Sequence, residues 1–326
     1  MASLSDSEFV DIYVGEGYTD IKGLKGASNL LVPAPPDLLD NINALKFECV
    51  KKHKETKRRE FNINFDDVLY RITVSNDAYD HPVIFIRRTK NSVLPIDDLA
   101  ISDEIKSMLA NPKINGLFLV TGDMAVGKTT SAASFMAYRT DKTGSITVAL
   151  EDPIETALGG PHGNGRGIQF EVDEYEGYAG ALKRALRMGV PNLFVGEIRD
   201  SETAYEVLKM SLNGTFVCAT LHGVSVIDAI DRFSILCTEK NSQSNPMIAK
   251  ALCGISHQKL QPNYRNGQDN IKTLRGYDVS ISAYKLINTE TDTILQSVKL
   301  KIAHGNFSTL VDDFNALAQR SIKNDY

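Results

Sequence analysis

The sequence predicts an α/β protein: a mainly parallel sheet covered by helices, preceded by a smaller α+β unit. Three observations predict it. From Ile101 onward, short apolar runs of strand length alternate with helical stretches, the pattern of a parallel sheet buried on both faces. Before about residue 90, several runs alternate apolar and polar residues, as strands with one wet face do. The chain has 326 residues, enough for two cores, and its 42% hydrophobic and 24% charged fractions are those of an ordinary globular protein.

The elements read in order as follows. Asp11 to Val14 is a first strand, and Pro33-Ala34-Pro35-Pro36 breaks the chain before a helix from Asp37 to Lys57. Phe61–Phe65, Val68–Val74 and Val83–Arg87 complete the strands of an N-terminal unit spanning residues 1–92. The helix ends in Lys51, Lys52, His53, Lys54, Lys57, Arg58 and Arg59, either a solvated terminus favoured by the helix dipole or a patch facing a partner or lipid. Residues 93–100, with Pro95, form a linker, and 101–326 form the larger domain with a C-terminal extension. Its strands are Gly116–Thr121, Ile146–Leu150, Leu193–Val195 and Thr215–Thr220, with helices at Lys128–Arg139, Tyr178–Met188 and Glu202–Leu212. Gly159 to Gly167, rich in glycine, is expected to be a mobile loop.

Composition narrows the function. A net charge of −5 and no stripe of interleaved basic and aromatic residues argue against stable nucleic-acid binding. Cys49, Cys218, Cys237 and Cys253 form no C-x-x-C pair, so a zinc module or disulfide framework is not expected, and a reducing cytoplasm suits them. No apolar run has the length of a membrane span and the start lacks a signal-peptide pattern, so any membrane role is expected to be peripheral.

The chemistry gathers after the strands. Gly122-Asp123-Met124-Ala125-Val126-Gly127-Lys128-Thr129-Thr130 fits G-x-x-x-x-G-K-[ST], with a buried strand before it and a helix after it. Glycines let backbone N–H groups close around phosphates, and the helix N-terminus adds positive potential. Lys128 then reaches the β- and γ-phosphates and the Thr129 hydroxyl ligates Mg2+. A chance turn would supply the glycines but not the whole ordered set, so the stretch reads as a nucleoside triphosphate site.

Ligands of open parallel sheets bind beyond the carboxyl ends of the strands. Glu151-Asp152-Pro153-Ile154-Glu155 follows the second strand, Gly196-Glu197-Ile198-Arg199-Asp200 the third, and the fourth ends in Thr220-Leu221-His222. Glu197 is placed to orient and deprotonate the attacking water, and Glu151 and Asp152 to serve the metal and its waters. His222 could sense the γ-phosphate and pass its state to a helix opening near Ser225. The bland readings are a helix-capping carboxylate, a polar strand exit and a packing histidine. His53, His81, His162, His257 and His304 have no comparable setting and read as structural or surface residues.

These pieces resemble the ATPases that drive type IV pili and type II and type IV secretion, of GspE and VirB type, and most of all the PilT-like branch. Ala149–Glu155 is similar to the family's Asp box, Val195–Asp200 to its Walker B, and Thr220–His222 to its His box. Tyr178–Arg187 and Ile255–Pro262 also follow its pattern. The resemblance implies a RecA-like P-loop NTPase domain and a PAS-like N-terminal domain, with nucleotide between them. It implies ATP and Mg2+ as cofactors, a homo-hexamer on the cytoplasmic face of the inner membrane, and a platform protein there as partner. It also implies arginines that reach the phosphates from the N-terminal domain, matched best by Arg71 and Arg87, with Arg88 a near alternative. The sequence departs from the pattern at the bulky Asp123–Val126, at Met188–Asn192, where the family has Asp-Pro-Asp, and after Gln261. The expected function is a motor for pilus dynamics or for type IV secretion. The alternatives are a nucleic-acid translocating ATPase, a small-molecule kinase and a nucleotide-gated scaffold.

Overall fold

The computed structural model describes residues 3–89, 92–173, 175–266, 272–287 and 291–324. The chain forms two compact units, one of Met1–Ser92 with Asp152–Ala157, the other of Val93–Glu151 with Leu158–Tyr326.

The first unit contains β1 (Asp11–Val14), β2 (Thr19–Lys22), β3 (Leu31–Pro33), α1 (Pro36–Thr56), β4 (Glu60–Phe65), β5 (Val68–Asn76) and β6 (Pro82–Arg88). Its sheet is antiparallel throughout, in the order β3-β2-β1-β6-β5-β4. Pro36 opens α1, where a missing N–H costs nothing, and Lys57 closes it in the left-handed region with its N–H on the His53 carbonyl. Leu38, Ile42, Leu45 and Cys49 recur at helical spacing and bury one stripe of α1 in a core shared with Ile12, Phe61, Tyr70, Ile72 and Ile86. Alternation along β5 buries Val68, Tyr70, Ile72 and Val74 and turns Arg71 and Thr73 to the other face. Residues 152–157 are tied to this unit through Asn62 Nδ2, which donates to the Ile154 carbonyl at 3.1 Å, and through Arg58–Asp152 and Arg71–Glu155 ion pairs. Sequence reading missed β2 and β3 because they are short and bury only Ile21 between them.

The second unit runs α2 (Asp103–Ala110), β7 (Gly116–Gly122), α3 (Lys128–Thr143), β8 (Ile146–Glu151), β9 (Gly160–His162), β10 (Gly165–Glu171), α4 (Gly177–Met188), β11 (Asn192–Val195), α5 (Ser201–Leu212) and β12 (Phe216–His222). It continues with α6 (Val226–Thr238), α7 (Ser244–Ala251), β13 (Leu252–Asn266), β14 (Lys272–Lys285), α8 (Thr293–Ala303) and α9 (Leu310–Asn324). The eight strands lie in the order β14-β13-β7-β12-β11-β8-β10-β9. Six are mutually parallel, and β9 and β14 run antiparallel at the two edges, so the sheet is mixed.

The strand period of two sorts side chains into two cores. Leu117, Leu119, Val148, Leu150, Leu193, Val195, Val217 and Ala219 face α4 to α8. Phe118, Val120, Ala149, Phe194, Phe216 and Cys218 face the opposite way, where Ile105, Met108 and Leu109 of α2 and Ala132, Phe135 and Met136 of α3 cover them. Both faces are dry, as the near-continuous apolar runs required.

The glycine-rich stretch from Gly159 to Gly167 is not the mobile loop expected from its composition. It forms β9 and the start of β10, and β10 pairs in parallel with β8. The glycines serve close packing: a Cβ on Gly167 would lie 1.6 Å from the Leu158 carbonyl oxygen, and one on Gly165 would lie 2.3 Å from that of Thr140.

Candidate functional site

The phosphate-type loop joins β7 to α3. Gly122 sits at φ +152, and a Cβ there would meet the Gln258 carbonyl oxygen at 2.5 Å, so no other residue fits without a shift. Ala125, at φ +58, adopts a left-handed conformation that costs a non-glycine residue about 1 kcal/mol. Asp123 accepts the Met124 N–H at 2.9 Å through its side chain, and its backbone carbonyl accepts Lys128 Nζ at 2.6 Å. Lys128 is half-buried; burial pulls its pKa down while the Glu197 and Asp123 carboxylates work against that shift. Its ammonium therefore rests on the loop's own carbonyl, in a place where a phosphate oxygen would supply a stronger partner. Thr129 and Thr130 lie partly exposed in the first turn of α3, which begins at Lys128.

Neighbouring strands carry the polar residues to the same end of the sheet. Glu151, the last residue of β8, is 2% exposed and accepts from Gln169 Nε2 at 2.8 Å. Glu197 follows β11 in a segment clamped on both sides: Gly196 N–H donates to the Leu150 carbonyl at 2.8 Å and Ile198 N–H to that of Thr220 at 2.9 Å. Its carboxylate is partly exposed and takes a hydrogen bond from Arg199 Nε at 2.6 Å. Asp200 then caps α5, accepting the Thr203 N–H at 2.8 Å. His222 closes β12 in register with Gly122, with Nδ1 3.9 Å from an Asp123 carboxylate oxygen and no hydrogen-bond partner for that buried nitrogen. Ser225 caps the following helix by accepting the Asp228 N–H, which fixes the helix start where the sequence placed it.

Asp152, next after Glu151 in the chain, belongs by its contacts to the first unit, where its carboxylate pairs with Arg58 at 3.2 Å. Among the described residues no group of three or more His, Cys, Asp or Glu is arranged to hold a metal by itself.

In the first unit, Arg71 and Arg87 are cross-strand partners on β5 and β6. Arg87 is gripped by buried Asp11, Nε to Oδ1 at 2.7 Å, and this contact raises its pKa and lowers that of Asp11, despite the opposing effect of burial on the carboxylate. Arg71 pairs with Glu60 at 3.3 Å and with Glu155. The two arginines line a cavity of about 430 Å³ with Asp11, Tyr13, Thr73 and Phe85. Arg88 is differently employed: its guanidinium donates to the carbonyls of Leu4, Ser5 and Ser7 and anchors the N-terminal segment.

Three supporting residues escaped sequence reading. Gln258 of β13 is 1% exposed and donates Nε2 to the Val126 carbonyl at 2.6 Å, bracing the loop from the strand beside β7. Thr121 donates its hydroxyl to the Ser256 carbonyl at 2.8 Å. The signal for both was Ile255–Pro262, which follows the family pattern. Arg139, near the end of α3, is fully enclosed: it donates to the Asn192 side chain at 2.7 Å and to the carbonyls of Leu109, Asn111 and Ile114, and stacks 4.0 Å from the centre of the Phe216 ring. Among the described residues no carboxylate pairs with it, and burial pushes its pKa down to about 10. Arg139→Leu strands several buried acceptors at once and is expected to cost about 3 kcal/mol of unfolding free energy, read as a lower urea midpoint. An unchanged midpoint would show that water replaces the guanidinium.

Over 236 residues the chain is 26% identical to the type IV pilus retractation ATPase PilT of Pseudomonas aeruginosa, a match covering 69% of this chain and 67% of PilT. It is 31% identical over 243 residues to the type IV pilus assembly ATPase PilB of Thermus thermophilus, covering 72% of this chain but only 25% of PilB. A crystal structure of the pilus retraction motor PilT with bound ADP superposes with a TM-score of 0.75 at 22% identity, covering 98% of this chain and 89% of that one, which shows a shared fold. Residues 66–296 match the family described as type II/IV secretion system protein, and the chain belongs to that family.

Proposed function

We propose that this chain is an ATPase motor subunit that couples hydrolysis to domain motion and powers type IV pilus dynamics or type IV secretion. One observation carries the reading: the strand order places the phosphate-type loop, Glu151, Glu197 and His222 at the carboxyl ends of β7, β8, β11 and β12, four strands of one sheet. The relatives named as pilus ATPases support it. The larger unit is then a RecA-like P-loop domain and the smaller a PAS-like one, within a homo-hexamer at the cytoplasmic face of the inner membrane, against a platform protein.

In this reading Lys128 and the loop N–H groups of residues 123–130 bind the phosphates of ATP. Thr129, with Glu151 and Asp152, would hold Mg2+ and its waters, and the ion offsets phosphate charge when bound. Glu197 orients the attacking water and takes its proton. Arg71 and Arg87 serve as the phosphate-contacting arginines, and His222 reads the nucleotide state from its place beside the loop.

The test is phosphate release from ATP, with and without Mg2+, on particles sized by native mass. Mg2+-dependent hydrolysis by a six-subunit particle, unaffected by single-stranded DNA, supports the motor. Phosphate transfer to a small acceptor by a monomer, or turnover that requires DNA, overturns it.

Asp123 gives a further expectation. Its exposed carboxylate stands 3.9 Å from His222 and next to the phosphate-binding N–H groups, where like charge opposes ATP. Asp123→Ser is expected to tighten ATP binding about fivefold at low salt, with the gain shrinking as salt screens it. Nucleotide titration at two ionic strengths checks both points.

A further inference from the structure

The first unit has a second concavity, which the nucleotide reading leaves unused. It measures about 360 Å³ and lies against the C-terminal half of α1. Aliphatic groups form its floor: Val50 from α1, Val74 from β5 and Ile84 from β6, the last two buried, with Pro82 beside them. Two lysines and a histidine form one wall, since Lys46, His53 and Lys54 lie on the same side of α1 as Val50, at positions i, i+7 and i+8. Gly15 and Glu16, after β1, close the far side.

Several surface cations of this unit are held in ion pairs. Lys25 pairs with Glu8, Arg58 with Asp152, Arg71 with Glu60 and Glu155, and Arg87 with Asp11. Lys46 and Lys54 have no carboxylate or carbonyl partner among the described residues. His53 is fixed by a hydrogen bond between Nδ1 and the Arg58 carbonyl at 2.6 Å. Among the described residues Glu16 is the one carboxylate lining the mouth, and it lies 2.9 Å from His81. An apolar floor therefore opens beneath two lysines that have no ion-pair partner among the described residues.

Dimensions favour a peptide over a headgroup. Lys46 and Lys54 are eight residues apart on the helix, a span of about 12 Å. An extended segment of about four residues covers that length. The cavity has room for one large apolar side chain, while the row of cations pairs with acidic residues on either side of it. We propose that this groove is a docking site for an acidic segment of a partner protein, anchored by a single Leu, Ile, Met or Phe flanked by Asp or Glu. The proposal rests on the first unit alone, so its failure leaves the nucleotide reading intact.

The experiment selects binders from a display library of random dodecamers on the full chain, then measures the best synthetic peptide by fluorescence anisotropy. An apolar residue flanked by Asp or Glu is expected as the consensus. Binding should weaken at least tenfold in Lys46→Glu/Lys54→Glu, fall with salt, and survive in Lys51→Glu/Lys57→Glu, which makes the same charge change outside the groove lining. ATP turnover, measured on all three proteins, should be unchanged and reports that each is folded. Absence of an acidic–apolar consensus overturns the proposal, as does equal loss in both double variants. Sedimentation with phosphatidylglycerol vesicles that depends on Lys46 and Lys54, without peptide binding, would overturn it in favour of a lipid surface.

Discussion

Glu197→Gln should leave ATP bound and slow its turnover by at least about a hundredfold, the loss typical of a missing general base. The substitution keeps the shape of the side chain, and the amide oxygen can still accept from Arg199 Nε, which holds the carboxylate at 2.6 Å. The backbone clamps on Gly196 and Ile198 involve no side chain of residue 197. Folding and nucleotide affinity should therefore persist while proton acceptance is lost. Single-turnover phosphate release, alongside nucleotide titration, separates the two. A loss below about tenfold is too small for a general base and would move that role to Glu151. Glu151 is the more buried of the two carboxylates and already accepts a hydrogen bond from Gln169.

Lys128→Ala should abolish hydrolysis and weaken ATP binding by one to two orders of magnitude, about 1.5–3 kcal/mol for a hydrogen bond to a charged group. Folding should not suffer. Burial penalises the charged ammonium in the free protein, and its visible hydrogen bond is to a loop carbonyl that water can reach. A thermal midpoint at or above that of the wild type, together with lost binding, would assign the lysine to phosphate. Turnover like that of the wild type would remove the loop from the chemistry altogether.

The parts of the site that could be read from sequence share one property: each is encoded within a few consecutive residues. Gly122 to Thr130 specify a turn and a helix start, Asn192 to Glu197 an apolar strand with a carboxylate after it, and Thr220 to His222 a strand end. Hydrophobic period gave β7, β8, β11 and β12 for the same reason, since both faces are dry and those runs are unbroken, but it did not give the parallel strands β10 and β13. Where the local signal was thin, reading failed. β2 and β3 bury almost nothing. The glycines from Gly159 to Gly167 carry the composition of a loop, but Gly165 and Gly167 let β10 approach the carbonyls of Thr140 and Leu158.

By itself the sequence determined the α/β class, the phosphate-type loop, the acidic residues that follow its neighbouring strands, and the family. Tertiary structure alone decided which partners those residues keep. Asp11 grips Arg87 across 76 residues, Gln258 braces Val126 across 132, and Arg139 reaches Asn192 across 53. It also decided that Asp152 pairs with Arg58, and that α1 and its sheet leave an apolar floor beneath Lys46 and Lys54. The physical reason is range. Turn chemistry and hydrophobic period act between near neighbours in the chain, whereas hydrogen bonds and packing act between whatever groups the fold brings within a few ångströms.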